Sequence, residues 1–307
     1  MVDVGSNVGV LLEEFKTKGM RVRGVDPAQG IAAKAVERGI DTLCDFFGMA
    51  AAKEIVRANG RASVITGTNV FAHVDDLAAF MGAVDALLTD RGVLIIEAPY
   101  FANLVANNEY DTIYHEHLSY LSVRPLERFF PRFGMEVFDI QQVEIHGGSF
   151  RVFVGRQGQR PVSADVARLV AQEQETRLHE RDTLAAFAAA VEQNRRDLLW
   201  LLHRLKNEGK TIVGVSAPAK GMTLLNYCRI GKEVLDFVTE KAALKIGRFT
   251  PGTHIPVVPD EELLKRQPDY ALLLAWNFAD EIMRNLDEYR QKGGRFIIPV
   301  PTPRIVS

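Results

Sequence analysis

Short apolar segments alternate with helical segments over the first 155 residues of the chain. The segments that read as strands are residues 1–4, 21–25, 63–66, 93–97, 136–143 and 149–155. This alternation predicts a parallel α/β sheet, and the two adjacent strands at its end predict a hairpin. The fold class expected for this region is therefore Rossmann-like α/β.

A helical stretch and a second alternation follow. Residues 162–208 contain few turn formers, and their apolar residues recur at helical spacing, which predicts one or two long helices. Strand-like segments then recur at residues 211–215, 235–239, 270–274 and 295–300. We therefore expect a first α/β domain over 1–156, a helical connector over 157–208 and a smaller Rossmann-like α/β domain over 209–307.

The first predicted strand is short. A strand of average length has about five or six residues, yet only residues 1–4 precede the glycine loop that starts at Gly5. An edge strand is one interpretation. A domain whose natural beginning is missing is the other, and it is favoured.

Composition and charge narrow the range of partners. The 307 residues include 37 Lys and Arg against 39 Asp and Glu, for a net charge of -2, so no strong positive field attracts nucleic acid or anionic lipid. Apolar runs fall short of the roughly 18 residues of a membrane span, and the amino terminus lacks the pattern of a signal peptide. Cys44 and Cys228 are too few for a structural zinc site. We expect a cytoplasmic protein that binds neither nucleic acid nor membranes.

A glycine loop follows the first strand and precedes a predicted helix. Asp3, Gly5, Asn7 and Gly9 lie at alternate positions, and glycine allows a sharp turn and a close approach to a ligand at the helix amino terminus. The spacing differs from the dinucleotide motif and is similar to the first motif of class I S-adenosylmethionine (SAM) methyltransferases. Asp26 ends the next strand, where a carboxylate can accept both hydroxyls of a ribose.

Other polar residues follow the later strands of the first domain. Asp45 and Phe46 come after the position of the third strand and can hold an adenine, although a turn followed by core aromatic residues is equally compatible. Asn69 and His73 follow the strand at 63–66 and are expected at the carboxyl edge of the sheet. His73 alone is also compatible with a cap or a core histidine.

The densest polar cluster lies within residues 107–122. Tyr114, His115, Glu116 and His117 offer side chains suited to proton transfer. The two histidines flank a glutamate, but a metal site needs further ligands, so we predict no metal. A solvated turn is the alternative interpretation.

Eight segments together resemble one family. In order along the chain they read GSNVG, TNVFAHVDDL, EAPYF, YDTIYHEHLSYLS, HGGSFR, APAKGMTLLNY, GRFTPGTHIPV and AWNFADEI. They resemble the sugar C-methyltransferases that act on nucleotide-linked 4-keto deoxyhexoses, and the resemblance spans nearly the whole chain. This chain has Val8 where the family has aspartate, VSAPAKG where it has a more glycine-rich loop, and no counterpart of its four-cysteine zinc module.

The resemblance implies a reaction, a cofactor and a partner. It implies C-methylation with SAM as the cofactor and a nucleotide-linked keto sugar as the substrate, through a base-assisted enolate. Because the base and the bulky sulfonium cannot occupy the same face of a planar enolate, we expect inversion at the methylated carbon. It gives His117 the role of the base, and Tyr114 and His73 those of donors to the enolate oxygen. Glu116 either orients the imidazole of His117 or holds a sugar hydroxyl. An O- or N-methyltransferase on a related sugar nucleotide, or an inactive nucleotide-binding homologue, is the alternative.

The resemblance also implies two sets of binding residues. Those expected to bind SAM are Asp3, Gly5, Asn7, Gly9, Asp26, Asp45, Phe46 and Asn69. Those expected to bind the sugar nucleotide are His146, Gly148, Ser149, Ser216, Lys220, Asn226, Arg248 and His254. Among the latter, Lys220 begins a predicted helix whose amino terminus can cradle a diphosphate, although a small-residue turn with a surface lysine is also compatible.

Overall fold

The computed structural model describes residues 1–144 and 147–307, which fall into two units. The first unit consists of Met1–Ala102 and Glu116–His179, and the second of Asn103–His115 and Glu180–Ser307. The second unit therefore includes a short segment that the sequence places inside the first α/β region.

The first unit is built on a mixed sheet. Its strands are β1 (Val2–Val4), β2 (Arg23–Val25), β3 (Thr42–Leu43), β4 (Ala62–Thr68), β5 (Leu88–Pro99), β6 (Met135–Val143) and β7 (Ser149–Arg156). Their order is β3-β2-β1-β4-β5-β7-β6, and β7 runs antiparallel to both β5 and β6 while the other pairs are parallel. This is the strand order of the class I SAM methyltransferases, so the predicted fold class and its terminal hairpin are confirmed.

Helices connect these strands, and their apolar faces cover the sheet. They are α1 (Val10–Thr17), α2 (Gln29–Glu37), α3 (Met49–Asn59), α4 (Leu77–Leu87), α5 (Phe101–Ala106), whose last four residues belong to the second unit, α6 (Val123–Phe129) and α7 (Ala164–Glu175). Ile65, Leu94 and Ile96 are buried on the central strands, beside Met81 and Val84 of α4. Each such side chain contributes roughly 1.5–3 kcal/mol by leaving water.

Strand β1 lies in the interior of the sheet. It pairs in parallel with β2 on one side and with β4 on the other, and Val2, Asp3 and Val4 are all buried. The interpretation of this segment as an edge strand is therefore wrong. Because both neighbours hydrogen-bond to it, three residues suffice to build a central strand.

The second unit has its own sheet. Its strands are β8 (Ile212–Val215), β9 (Val238–Glu240), β10 (Val257–Pro259), β11 (Tyr270–Leu273), β12 (Arg295–Ile298) and β13 (Arg304–Val306). They follow the order β10-β9-β8-β11-β12-β13, and all are parallel except β13, which pairs antiparallel with β12. Strands β10 (Val257–Pro259) and β13 (Arg304–Val306) were not predicted.

The helices of the second unit differ greatly in length. They are α8 (Arg181–Asn207), α9 (Ala219–Cys228), α10 (Glu261–Arg266), α11 (Ala279–Asn285) and α12 (Asp287–Gln291). Of the stretch 157–208, α7 belongs to the first unit and α8 to the second. Within the part of the chain that the structure describes, a helix long and apolar enough to cross a bilayer is absent.

Candidate active site

The glycine loop of the first unit runs from the end of β1 into α1. Gly5 has φ +68°, and a Cβ placed on it would lie 2.5 Å from Cγ2 of Val70, so this position requires glycine. The amide of Gly5 donates to the carbonyl of Val25 at the end of β2. Gly9, with φ +80°, precedes the first residue of α1. The loops after β1, β2 and β4 therefore meet at the carboxyl edge of the sheet.

Asp26 holds this loop and keeps spare acceptor capacity. One carboxylate oxygen accepts the amide of Asn7 at 2.9 Å, and the other accepts the amide of Ala28 at 2.9 Å. Each oxygen has a second lone pair for a further hydrogen bond. Two acceptors on one carboxylate fit the adjacent hydroxyls of a ribose.

An aromatic ring is exposed in the segment that follows β3. The amide of Asp26 donates to the carbonyl of Leu43, so the residues after β3 follow at the same edge. Phe46 is 78% exposed, and its amide is held by the carboxylate of Asp45. Phe47 instead packs against Phe80 with ring centroids 5.1 Å apart. The alternative of two core aromatic residues is therefore wrong for Phe46, whose face is free to stack on a planar base.

Asp3 is a buried carboxylate within the same edge. The hydroxyl of Thr66 on β4 donates to it at 2.6 Å. Burial, with a smaller contribution from the charge of Asp26, raises the pKa of Asp3 to about 6. Asn69 follows β4 with φ +56°, and its amide donates to the carbonyl of Glu97 at 2.8 Å.

These residues fit SAM as a ligand. SAM combines an adenine, a ribose and a positively charged sulfonium, and the edge offers an exposed ring at Phe46, spare acceptors at Asp26 and a buried carboxylate at Asp3 that a nearby cation would stabilise. The loop backbone at Gly5 is also exposed. The edge is therefore compatible with SAM, and the individual binding residues stay a prediction.

The raised pKa of Asp3 gives a prediction about stability. A carboxyl whose pKa rises from 3.8 to about 6 on folding costs the folded state free energy above pH 6, and the cost disappears as the pH falls toward 4. Asp3→Asn should therefore raise the free energy of unfolding at pH 7 by up to about 3 kcal/mol, and by much less at pH 4. Urea denaturation at both pH values measures this. The exposed Asp90→Asn is the control, and equal gains for Asp3→Asn at both pH values would contradict the assignment.

Two histidines and a glutamate lie close together in the first unit. His73 follows β4, and Glu116 and His117 come from a later segment of the chain. His73 ends the 3₁₀ turn Phe71–His73, and its ring centroid lies 5.0 Å from that of His117 at an interplanar angle of 83°. The amides of Leu118 and Ser119 both donate to the carbonyl of Ala72, at 2.9 and 3.1 Å. The backbone directly after His117 is thereby fixed against the turn that carries His73.

Burial, together with the neighbouring His117, favours the neutral form of His73. Desolvation, and then the neighbouring His117, lower the pKa of His73, while Glu116 opposes the shift. A neutral imidazole keeps one ring N–H that can donate a hydrogen bond. The predicted residues His73, Glu116 and His117 are thus brought together, and Tyr114 lies in the second unit, where its ring is 6.3 Å from that of His115.

Part of the predicted HGGS segment, namely Gly148 and Ser149, lies at the same edge of the first sheet. Ser149 begins β7 opposite Pro99 at the end of β5, and the carbonyl of Gly148 accepts the amide of Tyr100. His146, predicted to bind substrate, lies outside the residues that the structure describes.

In the second unit, Asn226 supports the loop that carries two other predicted residues. Its amide nitrogen donates to the carbonyl of Pro251, and a Cβ on Gly252 would lie 2.0 Å from its side-chain oxygen. Arg248 and His254 belong to the same loop, in which the amide of His254 donates to the carbonyl of Thr250. Asn226 therefore supports this loop, and its role in binding the substrate stays a prediction.

The loop between β8 and α9 is held by strand β9. Ser216 has φ +66°, and the amide of Ala217 donates to Glu240 at the end of β9. Lys245 donates to the carbonyl of Ala217 and pairs with Glu240. Sequence reasoning missed Glu240, although an acidic residue at the end of the second strand of a Rossmann-like domain is a recognisable signal.

Lys220 is not a surface residue. Its side chain is only 13% exposed, and its ammonium lies 3.7 Å from the carboxylate of the fully buried Asp111 and 4.1 Å from the ring centroid of Trp276. The alternative of a surface lysine is wrong. Asp111 was not predicted, because a carboxylate in a polar run gives no sign that it will be buried beside a residue more than a hundred positions away.

Comparison with known proteins gives the family. Residues 144–301 match the family described as C-methyltransferase C-terminal domain, and residues 1–140 match a methyltransferase domain. The C-methyltransferase NovU of Streptomyces niveus is 39% identical over an alignment that covers 100% of this chain and 73% of that protein. A ubiquinone biosynthesis O-methyltransferase of Rhodopseudomonas palustris is 28% identical over 45% of this chain and 58% of its own length.

Among solved structures, a SAM-dependent methyltransferase from Clostridium acetobutylicum is 15% identical with a TM-score of 0.39, and the match covers 51% of this chain and 83% of that one. The match of the C-methyltransferase family to about half of the chain, together with the similarity to NovU over all of this chain, is decisive. The chain belongs to the C-methyltransferase family and is a SAM-dependent C-methyltransferase.

Proposed function

We propose that this enzyme methylates a carbon next to the ketone of a nucleotide-linked 4-keto deoxysugar. The observation that carries the proposal is the cluster of His73, Glu116 and His117 after the fourth strand of the SAM-binding sheet. A base beside a second imidazole and a carboxylate is what enolate chemistry requires. Methyl transfer to an oxygen or nitrogen, which already bears a lone pair, has less need of such a base.

The chemistry follows from the acidity of the substrate. A carbon next to a ketone becomes a nucleophile only when its proton is removed, and the electrons of that C–H bond then move toward the carbonyl oxygen. In the proposal, His117 takes the proton and Glu116 holds the imidazole or a sugar hydroxyl. Tyr114 and His73 donate hydrogen bonds to the developing oxyanion.

SAM, when bound, supplies the methyl group as an electrophile. Asp26, Phe46 and the loop at Gly5 are the residues proposed to hold its ribose, its adenine and its amino-acid portion. The enolate carbon and the methyl donor together lose charge as the new bond forms, so a site that excludes water favours the step.

The test is a methyl-transfer assay against 4-keto sugar nucleotides, with the corresponding 4-hydroxy compounds as controls. The substrate carries deuterium at both carbons next to the ketone. C-methylation must remove one deuterium from the carbon that receives the methyl group, and the product should show a new C–C bond by NMR with inverted configuration at that carbon. A product that keeps all of its deuterium and carries an O- or N-methyl group would overturn the proposal.

Asp26 gives a prediction about SAM affinity. Asp26→Asn should raise the SAM dissociation constant about 10- to 100-fold, because hydrogen bonds to a charged group are worth roughly 1.5–3 kcal/mol. Isothermal calorimetry on the free enzyme measures it. Asp41→Asn, at an exposed aspartate before β3, is the matched control. An unchanged constant in Asp26→Asn would reduce Asp26 to a residue that only orders the loop.

A further inference from the structure

The crevice of the second sheet holds a piece of the chain itself. In open α/β sheets, ligands bind at the carboxyl edge where the strand order reverses, which here is between β8 and β11. Helix α9 follows β8 and the 3₁₀ turn Trp276–Phe278 follows β11. The 3₁₀ turn Tyr110–Thr112 packs on α9. A segment from the middle of the chain therefore lies beside the elements that usually meet a ligand.

Three side chains join this segment to the two strand ends. The indole N–H of Trp276 donates to one carboxylate oxygen of Asp111 at 2.7 Å. The ammonium of Lys220 lies 3.7 Å from that same oxygen and 4.1 Å from the centroid of the Trp276 ring. The ammonium thus interacts with a carboxylate and with an aromatic ring, which are the two groups that stabilise a partly dehydrated cation.

Burial makes this arrangement sensitive to the loss of either charge. Asp111 is fully buried, and in the described part of the chain neither its second carboxylate oxygen nor the Lys220 ammonium has a hydrogen-bond partner. Burial raises the pKa of Asp111 and lowers that of Lys220, while their mutual attraction opposes both shifts. Removing one member of such a pair leaves the other buried and uncompensated, whereas removing both is often tolerated.

The neighbours of Asp111 are also fixed. The hydroxyl of Tyr110 donates to Asn194 of α8 at 2.8 Å, and Asn194 donates to the carbonyl of Pro299. Glu109 is buried, and its burial raises its pKa to about 7. The segment that leads to Tyr114 is therefore held in the second unit through consecutive residues.

We propose that Asp111, Lys220 and Trp276 form a positioning lock that fixes the segment leading to Tyr114. In this lock, Lys220 is a positioning residue that neutralises Asp111, and it is not the ligand of the substrate diphosphate. The catalytic part of the inference rests on the proposed function, in which Tyr114 donates to the enolate oxygen.

The test is a double-mutant cycle with Asp111→Asn, Lys220→Met and the double variant. Each single variant should lower kcat on the order of 10-fold, with less than about a threefold change in the KM of the sugar nucleotide. The double variant should regain most of kcat, because it removes both buried charges. If Lys220 instead binds the diphosphate, Lys220→Met and the double variant will raise that KM equally and no recovery will occur, which overturns the lock.

Amide hydrogen exchange of residues 107–114 provides a readout that does not depend on activity. Exchange in this segment should be faster in Asp111→Asn than in the natural enzyme and should return toward the natural rate in the double variant. Trp276→Phe, which keeps an apolar ring but removes the indole donor, should also speed exchange, and it serves if Lys220→Met does not fold. Unchanged exchange in Asp111→Asn and Trp276→Phe would refute the lock.

A matched control and one further outcome complete the design. Glu288 and Lys292 form an exposed pair at 2.8 Å on the second unit, and Glu288→Gln with Lys292→Met should alter neither kcat nor exchange. Absence of turnover by the natural enzyme on all 4-keto sugar nucleotides would reject the proposed function, and the exchange cycle would still decide the lock. Normal turnover with an unchanged kcat in Asp111→Asn would reject the lock alone.

Discussion

Replacing His117 by asparagine is expected to lower turnover about 10²- to 10⁴-fold while SAM still binds. His117 lies with His73 and Glu116, and a general base contributes a factor of this size when proton removal limits the reaction. Asparagine keeps polarity and approximate size but cannot take a proton. Single-turnover kinetics measures the loss, and calorimetry measures the SAM dissociation constant of the same variant.

The neighbouring His115 provides the control for this prediction. It is exposed, lies two residues earlier and has no proposed role in proton transfer. His115→Asn should therefore keep turnover within a few-fold of the natural enzyme. Near-normal turnover in His117→Asn would remove His117 from the role of base, and a parallel loss of SAM affinity would show that the substitution disturbs the cofactor site as a whole.

Tyr114→Phe is expected to lower kcat about 10²- to 10³-fold with little change in either KM. The variant removes only a hydroxyl, and a single preorganised donor to a developing oxyanion is worth a factor of this size. An effect confined to kcat indicates an interaction that forms in the transition state and not in the ground state. Steady-state kinetics with varied sugar nucleotide and varied SAM separates an effect on kcat from an effect on either KM.

Tyr227→Phe serves as the comparison for Tyr114→Phe. Tyr227 also belongs to the second unit, and its hydroxyl donates to the exposed Glu192, so it lies in a structural contact. Loss of the Tyr227 hydroxyl should leave kcat unchanged. A kcat of Tyr114→Phe within about threefold of the natural value would show that the enolate oxygen takes its hydrogen bonds from other groups.

The sequence predicted best those features that depend on local order. A strand, a glycine loop, a helix and a second strand ending in Asp26 occur within one short stretch of chain, so their mutual placement follows from the geometry of a single βα unit. The long helices α7 and α8 were anticipated for the same reason, since their apolar spacing extends over many turns. These patterns were recognisable in the sequence because each extends over many neighbouring residues.

Features that depend on pairing between distant segments were predicted less well. Strand β1 has the length of an edge strand, yet it lies between β2 and β4 because both neighbours hydrogen-bond to it. Phe46 and Phe47 are identical residue types in adjacent positions, but one is exposed and the other packs on Phe80. Two adjacent residues of the same type give the same signal in the sequence. Only the packing of the rest of the chain around them decides which one is buried.

The surroundings of Lys220 show the same limit in the candidate binding residues. From sequence, a lysine at the start of a helix is either a phosphate ligand or a surface residue, and the structure instead buries it beside Asp111 and Trp276. The three residues are separated by 109 and 56 positions along the chain. No local pattern can encode such a meeting, because it depends on where segment Asn103–His115 folds.

The sequence by itself determined the fold class, the SAM-binding motif and the presence of an acid–base cluster, because each is written in residue types over short distances. Only the tertiary structure decided that Glu116 and His117 belong to one unit while Tyr114 and His115 belong to the other. It also decided which carboxylates are buried, as Asp3 and Asp111 are. The physical reason is that burial and charge pairing depend on the segments packed around a residue, which its own sequence neighbours do not specify.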